Sequence, residues 1–301
     1  MWKYYVLRLA YLLLGRLPLG AKYGIALVAG DAAYFLRGGT RAAVCDNMRH
    51  VMGPDAPERD VRRAAREVFR NATRYYADLL HVPRLDVERF YREGMDLSGE
   101  EYLHAAQDSG RGAVVAGTHF GNPEMAVQGL AAAGFSIMGI TEPLKPQKLS
   151  DFTDWLRSRH GHVYRTASFG GVKAAIARIK AGGLLAILFD RDVTGTGVPL
   201  PFFGAEVPIP LGAVDIARRT GCDLIPAFSW RLPGRRFRVE IGPPLELVRT
   251  DDIDEDLRTN TRRLLALFEE RLRKDPGQWA VLESIWRERE REPGSVSVRG
   301  S

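Results

Sequence analysis

The chain has 301 residues, which is enough for one large domain or for a core domain with a small helical addition. Lys and Arg total 43 against 37 Asp and Glu, and the net charge of +6 suits a surface that faces anionic lipids or phosphorylated ligands. The sequence contains no zinc-ligand spacing, RNP-like aromatic motif or long Lys/Arg run, so we expect neither a metal nor a nucleic acid as partner. Cys45 and Cys222 have no metal or redox spacing and indicate two reduced thiols in a cytoplasmic setting.

The N-terminus is apolar but short. Arg8 interrupts the run and Pro18 follows it, whereas a spanning helix needs about 20 mainly apolar residues. A small-residue cleavage site is also missing, which argues against a signal peptide. Leu, Tyr and Trp side chains flanked by Lys3, Arg8 and Arg16 are typical of a helix that lies in the membrane interface. The alternative is a first helix that packs on the core, and one helix can do both.

The pattern along the chain predicts a helical N-terminal third followed by an α/β region. Residues 1 to about 95 have helical periodicity, with amphipathic helices at 20–36 and 61–80. Beyond residue 110, short apolar runs predict strands at 112–117, 135–140, 184–189, 224–230 and 237–241. Helices are predicted between and after them at 122–132, 149–160, 171–180, 210–220 and 253–274.

This alternation of strands and helices predicts an α/β fold with a mostly parallel central sheet, flanked by helices and carrying an N-terminal helical cap. We expect residues 1–36 to form interfacial helices, 37–290 a single α/β domain, and 291–301 a flexible tail. The charged segment from Arg287 onward is predicted to be loose.

The most informative segment for function is GTHFGNPE at 117–124, because it follows the first predicted strand. His119 is therefore expected at the carboxyl end of a strand, where open α/β sheets place ligands. Asn122-Pro123 predicts the start of a helix, and Glu124 falls in its first turn, near enough to accept a hydrogen bond from the imidazole. A carboxylate in that position fixes the His tautomer and stabilises the imidazolium of a general base.

A second predicted strand, 184–189, ends in Asp190. Because parallel strands end at the same edge of a sheet, Asp190 is expected beside His119. The loop that follows is rich in glycine, which allows close approach of a ligand, and it contains the pair Phe202-Phe203. That pair either packs against an apolar chain or belongs to the core. The GTG sequence in this loop is not a dinucleotide fingerprint, because no helix begins directly after it.

Several ordered motifs carry a resemblance to a known family. GTHFGNPE at 117–124, ITEPLKP at 140–146, LFDRDVTGTGVPLPFFG at 188–204 and IPLGAVDIARRTGCDLIPAF at 209–228 together resemble the bacterial lipid A biosynthesis lauroyl acyltransferase-like family. FRNATRYYADLL at 69–80 and DPGQW at 275–279 also resemble family blocks. Within the family, the chain is most similar to the phosphatidylinositol mannoside acyltransferases. Pro123 departs from the pattern, because many relatives have an aromatic residue there.

The resemblance implies a glycerolipid acyltransferase-like fold and transfer of a fatty acyl group from acyl-CoA or acyl carrier protein to a glycolipid hydroxyl. His119 would be the general base of an HX4E motif, Glu124 would orient it, and Asp190 would support His119 or the acceptor hydroxyl. Arg157 matches the family Arg four residues before Gly161 and is expected to contact the donor phosphate or the oxyanion. The residues expected to bind substrate are Arg157, Asn122, Arg191, Phe202 and Phe203.

The resemblance also implies partners and a location. They are a membrane glycolipid acceptor, a thioester donor and an anionic membrane surface, with no cofactor besides the donor substrate. The expected location is the cytoplasmic face of the inner membrane, with a peripheral or monotopic attachment. Three alternatives stay open: a lipid A-type acceptor, hydrolysis by a thioesterase or lipase, and a non-catalytic lipid-binding protein. The sequence lacks the Gly-x-Ser-x-Gly elbow of lipases, which argues against the second alternative.

Overall fold

A computed structural model describes residues 1–286. The tail predicted from Arg287, including 291–301, lies outside the described residues. The helices are α1 (Trp2–Leu14), α2 (Leu19–Leu36), α3 (Gly38–Met52), α4 (Glu58–Leu79), α5 (Val87–Arg89), α6 (Glu100–Asp108), α7 (Pro123–Leu130), α8 (Gln147–Arg157), α9 (Phe169–Lys180), α10 (Gly212–Thr220) and α11 (Ile253–Lys274).

The strands are β1 (Met95–Ser98), β2 (Ala113–Gly117), β3 (Ile137–Thr141), β4 (Val163–Thr166), β5 (Leu184–Leu188), β6 (Val198–Phe202), β7 (Ala205–Ile209), β8 (Asp223–Arg231) and β9 (Phe237–Ile241). Seven of them form the central sheet, with strand order β1-β9-β8-β2-β5-β3-β4. All neighbouring strands in this sheet are parallel except β8 and β9, which pair antiparallel. A separate antiparallel hairpin consists of β6 and β7.

The α/β fold with a mostly parallel sheet and an N-terminal helical region is confirmed. Each of the five predicted strands corresponds to an observed one, β2, β3, β5, β8 and β9. The prediction of helix up to residue 95 missed β1, and β4 and the β6–β7 hairpin were not predicted either. β1 and β4 are four-residue strands at the two edges of the sheet, so their apolar signal is short. The hairpin contains three prolines, and because proline is typical of turns, the sequence predicted a turn there.

The sheet separates two apolar layers. Successive residues of β2 alternate between them, because side chains of a strand point to opposite faces. Val114 packs in the layer that contains α3, α4, α10 and α11, and Val115 packs in the layer that contains α6 and α7. Every residue of β2 is buried, which is the pattern of a central strand covered by helices on both faces.

The N-terminal helices leave much of their apolar surface uncovered. α1 packs on α8, where Tyr11 contacts Phe152 edge-to-face with ring centroids 5.8 Å apart. The opposite side of α1 and part of α2 expose large apolar side chains: Trp2, Tyr5, Val6, Leu9, Leu12, Leu13, Ile25, Val28, Phe35 and Leu36. Within residues 1–286, no helix combines the length and apolar character that crossing a membrane requires.

A buried polar cluster joins the N-terminal helices to the sheet. The carboxylate of Asp78, at the end of α4, accepts hydrogen bonds from Tyr23 Oη (2.5 Å), Asn122 Nδ2 (2.7 Å) and Arg231 Nη2 (2.6 Å). Asp78 and Arg231 are both buried, and burial together with the Asp78 charge raises the pKa of Tyr23 far above its usual range. One carboxylate therefore ties α2, α4, α7 and β8 together.

We predict that Asp78→Ala destabilises the protein by about 3–5 kcal/mol, because it leaves the guanidinium of Arg231 buried and unpaired. Urea denaturation of the wild type and the variant measures this loss. Glu93→Ala is the matched control: it removes an exposed ion pair with Arg89 and should cost less than about 1 kcal/mol. Equal losses of unfolding free energy in the two variants would show that the Asp78 cluster stabilises the protein no more than an exposed ion pair does.

Candidate active site

His119 and Asp190 follow matching positions of two neighbouring strands. β2 and β5 pair in parallel with Gly117 opposite Leu188, so the residues two positions further along each chain meet at the carboxyl edge of the sheet. The backbone hydrogen bond from Phe189 N to Gly117 O (3.1 Å) continues this pairing past the strand ends. The prediction that the two strands bring His119 and Asp190 to one edge is confirmed.

The carboxylate of Asp190 is fully buried and accepts three hydrogen bonds. Oδ1 accepts from Nδ1 of His119 at 2.8 Å, and Oδ2 accepts from the backbone N of His119 at 2.9 Å and from Trp279 Nε1 at 2.8 Å. Because a carboxylate only accepts, Nδ1 carries the proton in the neutral imidazole and Nε2 carries the lone pair. The imidazole side chain is 29% exposed, and no hydrogen bond within residues 1–286 engages Nε2.

The surroundings of Asp190 keep it ionised. Burial by itself would raise the pKa of this carboxyl, but the charge of His119 and the hydrogen bonds from His119 and Trp279 oppose burial and hold the pKa below its usual value. A buried, ionised carboxylate at Nδ1 is the arrangement that orients an imidazole base and stabilises its protonated form.

The structure corrects the expected contact between Glu124 and His119. Glu124 Oε1 accepts hydrogen bonds from Tyr164 Oη and Gln128 Nε2, both at 2.8 Å, and Oε2 lies 3.0 Å from Arg157 Nε. Glu124 belongs to the first turn of α7, and its side chain bonds along that helix and across to β4 and α8. The partner of His119 is Asp190, on the neighbouring strand.

Arg157 is held inside the same cluster. Its side chain is only 17% exposed, and it donates from Nη2 to Tyr75 Oη at 2.5 Å in addition to its ion pair with Glu124. Its guanidinium carbon also lies 5.5 Å from the centre of the Tyr164 ring. Burial is the main cause that raises the pKa of Tyr75 to about 12. The structure pairs this guanidinium with Glu124 and Tyr75, and the contact with substrate phosphate or oxyanion that the sequence suggested stays a prediction.

Asn122 lies three residues after His119 and Arg191 directly follows Asp190, but the two side chains differ in exposure. Asn122 is fully buried: its Oδ1 caps α7 by accepting from the backbone N of Met125, and its Nδ2 donates to Asp78. Because these bonds occupy both ends of its amide, Asn122 shapes the loop, contrary to the expected substrate contact. The Arg191 side chain is 20% exposed and forms an ion pair with Glu283 at 2.9 Å.

Phe202 and Phe203 belong to the core. Both are buried, and they contact the ring of Trp279 at centroid distances of 6.0 and 6.3 Å. Of the two interpretations that the sequence allowed, the core position is the observed one. These side chains pack against Trp279 and do not line the cavity between the sheet and α7.

A narrow apolar cavity of about 50 Å³ lies between the sheet and α7. Its wall begins beside His119, at Gly117, Thr118 and Phe120, and extends towards Leu130 and Ile137. The other residues that line it are Val115, Pro123, Ala126, Val127, Ala186, Leu188, Ala227, Phe228, Ser229, Val239 and Ile241. His119 itself does not line this space, but its chain neighbours Thr118 and Phe120 do, so the loop that carries His119 borders a space lined almost entirely by apolar side chains.

A glycine lets the loop after His119 pass close to β8. Gly121 has φ +65°, and a Cβ atom on it would lie 2.0 Å from the carbonyl oxygen of Ser229. The Ser229 hydroxyl donates to Phe120 O at 2.8 Å and accepts from Asn122 N at 3.2 Å. The loop that carries His119 is thus fixed to β8 on both sides of the glycine.

Several residues of the site were not assigned a role from the sequence. Tyr164 and Gln128 hold Glu124, and Trp279 holds Asp190. Tyr164 lies on β4, which was not predicted, and nothing in its local pattern marks it. Trp279 lies in the DPGQW segment, whose resemblance to a family block was the one available signal.

The sequence is similar to those of known acyltransferases. A sequence profile described as bacterial lipid A biosynthesis acyltransferase matches residues 2–288. A phosphatidylinositol mannoside acyltransferase of Mycobacterium tuberculosis is 28% identical over 264 residues, which cover 85% of this chain and 80% of the relative. One from Mycolicibacterium smegmatis, with the same description, is 27% identical over 263 residues, which cover 85% of this chain and 82% of the relative.

Proposed function

The chain belongs to the bacterial lipid A biosynthesis acyltransferase family and is an acyltransferase, and on this premise we propose its reaction. It transfers a fatty acyl group from a CoA or carrier-protein thioester to a hydroxyl of a membrane glycolipid of the phosphatidylinositol mannoside type. The observation that carries this proposal is the hydrogen bond between His119 Nδ1 and buried Asp190, beside an apolar cavity.

In the proposed reaction, His119 is the general base. Its Nε2 takes the proton of the acceptor hydroxyl while the hydroxyl oxygen attacks the thioester carbonyl carbon. The C–S bond then breaks, the new ester C–O bond remains, and the imidazolium returns its proton to the departing thiolate. Asp190 stabilises the imidazolium between these two proton transfers, because its buried negative charge lies 2.8 Å from Nδ1. Since the thioester is already activated, this route requires no acyl-enzyme.

Glu124 acts indirectly in this proposal. Its ion pair with Arg157 and its hydrogen bond from Tyr164 join α8 and β4 to α7, the helix that lines one side of the cavity. We therefore propose that Glu124 maintains the shape of the substrate site. This assignment replaces the role in orienting His119 that the HX4E spacing suggested.

The apolar cavity is the proposed site of the acyl chain. Its lining suits hydrocarbon, and its wall at Gly117 and Thr118 adjoins His119, where the thioester must lie. The volume is well below the ~300–1,000 Å³ of typical small-molecule pockets. We infer that side chains of α7, such as Val127 and Leu130, move aside when a long chain enters.

The exposed apolar face of α1 and α2 is the proposed membrane contact. Basic residues Lys3, Arg8 and Arg16 accompany the apolar side chains, a combination that suits an interface of anionic lipids. Membrane attachment brings the glycolipid acceptor to the site. Because the two cysteines are free thiols and the donors are thioesters, we propose the cytoplasmic face of the inner membrane as the location.

A lipid A-type acceptor is the second candidate, since the description of the family refers to lipid A biosynthesis. The same base and cavity would serve it, because both acceptors offer a sugar hydroxyl next to a membrane anchor. The assay described next distinguishes the acceptors by the mass of the product.

We predict that His119→Ala lowers the rate of acyl transfer by about 10²–10⁴-fold, the usual contribution of a positioned general base. Purified protein is incubated with palmitoyl-CoA or palmitoyl carrier protein and a mixed glycolipid pool, and mass spectrometry identifies the acylated lipid. His104→Ala is the matched control, because His104 is exposed and lies on α6, and this variant should retain wild-type activity.

Two results would contradict the proposal. Release of free fatty acid without any acylated lipid, with both donors and both acceptor classes, would indicate hydrolysis. Full activity of a folded His119→Ala variant would exclude His119 as the base. Circular dichroism establishes that the variant is folded.

We predict that Leu9→Glu together with Leu13→Glu weakens binding to anionic vesicles by about 10-fold or more, since each exposed Leu contributes apolar area at the interface. Vesicle co-sedimentation measures the bound fraction. Val248→Glu, an exposed apolar position outside the N-terminal helices, is the control and should bind as the wild type does. Unchanged binding of the double variant would favour the interpretation of α1 as a core-packing helix only.

A further inference from the structure

We propose that Trp279 is a positioning residue for the His119–Asp190 pair, and that the segment Gly277–Val281 is part of the active site. We call this segment the C-terminal strap. The proposal rests on the proposed function, in which His119 is the base.

The indole of Trp279 contacts the pair directly. Its Nε1 donates to Asp190 Oδ2 at 2.8 Å, and the residue is fully buried. Asp190 Oδ1 faces the imidazole while Oδ2 receives the indole and the backbone N–H of His119. These three donors fix the orientation of the Asp190 carboxylate. The indole therefore limits rotation of the carboxylate that orients His119.

The backbone of the strap holds the loop that carries His119. Ala280 N donates to His119 O at 2.8 Å, and Gly121 N donates to Gln278 O at 2.9 Å. Phe120 and Trp279 form an antiparallel bridge between these two bonds. The backbone of the strap therefore pairs with the loop that carries His119 as a short strand would. In addition, the side chain of Trp279 contacts Asp190.

The strap is itself fixed to the rest of the fold. Gln278 Oε1 accepts from the backbone N of Arg231 at 2.7 Å, and Asn71 Nδ2 donates to Gly277 O at 2.8 Å. The Trp279 ring packs against Phe202 and Phe203. These contacts join the strap to β8, α4 and the β6–β7 hairpin, so the indole is held in one place before substrate arrives.

Arg191, the next residue after Asp190, interacts with the Asp190 carboxylate through its charge, and it is paired with Glu283 and Glu142. Neither ion pair involves Trp279, so a substitution there removes no charged partner of Arg191. The expected effect of the substitution on the base therefore comes from the lost indole donor.

Electrostatics gives the direction of that effect. The indole N–H directs the positive end of its dipole towards the carboxylate, and this disfavours a second positive charge on the nearby imidazole. Without the donor, Asp190 attracts the imidazolium proton more strongly. The base then stays protonated to a higher pH, so activity at the acidic end of the profile falls while activity at alkaline pH is retained.

The test compares the pH dependence of kcat/KM in Trp279→Phe and Trp286→Phe. Trp286 belongs to the same aromatic cluster, with its ring 6.1 Å from that of Trp279, and its buried Nε1 has no hydrogen-bond partner within residues 1–286. Both variants lose an indole from the cluster, but only Trp279→Phe loses a bond to Asp190. We expect the acid limb to move up by about half a pH unit or more in Trp279→Phe and to stay in place in Trp286→Phe.

A further variant separates loss of the donor from loss of the ring. Replacing Trp279 by benzothienylalanine, which has sulfur in place of the N–H, keeps the shape of the ring and should give the same upward shift.

An acid limb of Trp279→Phe or the benzothienyl variant that coincides with that of Trp286→Phe, or that lies at lower pH, would overturn the positioning role. Retained activity of His119→Ala in the same assay would overturn the proposed base instead. The two failures are therefore distinguishable.

Discussion

The candidate active site depends on one buried carboxylate at the end of β5. Asp190 has no access to solvent, so the protein must supply every hydrogen bond that keeps its charge stable. The parallel register of β2 and β5 supplies the backbone N–H and imidazole of His119, and a segment 89 residues further along the chain supplies the indole of Trp279. Burial of Asp190 thus fixes the Nδ1 side of the imidazole, while no hydrogen bond within residues 1–286 engages Nε2.

The N-terminal helices and this site share one scaffold, α4. At its end, Asp78 binds Tyr23 of α2 and also Asn122, the cap of α7. One turn earlier, Tyr75 accepts a hydrogen bond from Arg157, the ion-pair partner of Glu124. The helices that carry the exposed apolar face are therefore linked by buried polar contacts to the start of α7, where the loop that carries His119 ends. In the proposed function, this arrangement holds the site at a fixed position relative to the lipid surface.

Most of the fold was predictable, because the central strands are short apolar runs bounded by glycine and the helices between them are amphipathic. The convergence of His119 and Asp190 followed from the same pattern. The partner of His119 was not predictable from spacing: Glu124 is near in sequence, but the first turn of α7 directs it to Tyr164 and Arg157. Such contacts depend on the packing of distant elements. The β6–β7 hairpin was missed because its prolines also indicate turns.

The most direct test of this account is the tautomer of His119, measured by NMR of protein labelled with ¹⁵N-histidine. In the wild type, we expect the neutral ring to carry its proton on Nδ1. In Asp190→Asn, the backbone N–H of His119 and the indole of Trp279 should hold the amide oxygen, so the amide NH₂ faces Nδ1 and the proton moves to Nε2. Glu124→Gln should keep the wild-type tautomer. A ring that switches in Glu124→Gln but not in Asp190→Asn would contradict the assignment of Asp190 as the partner of the base.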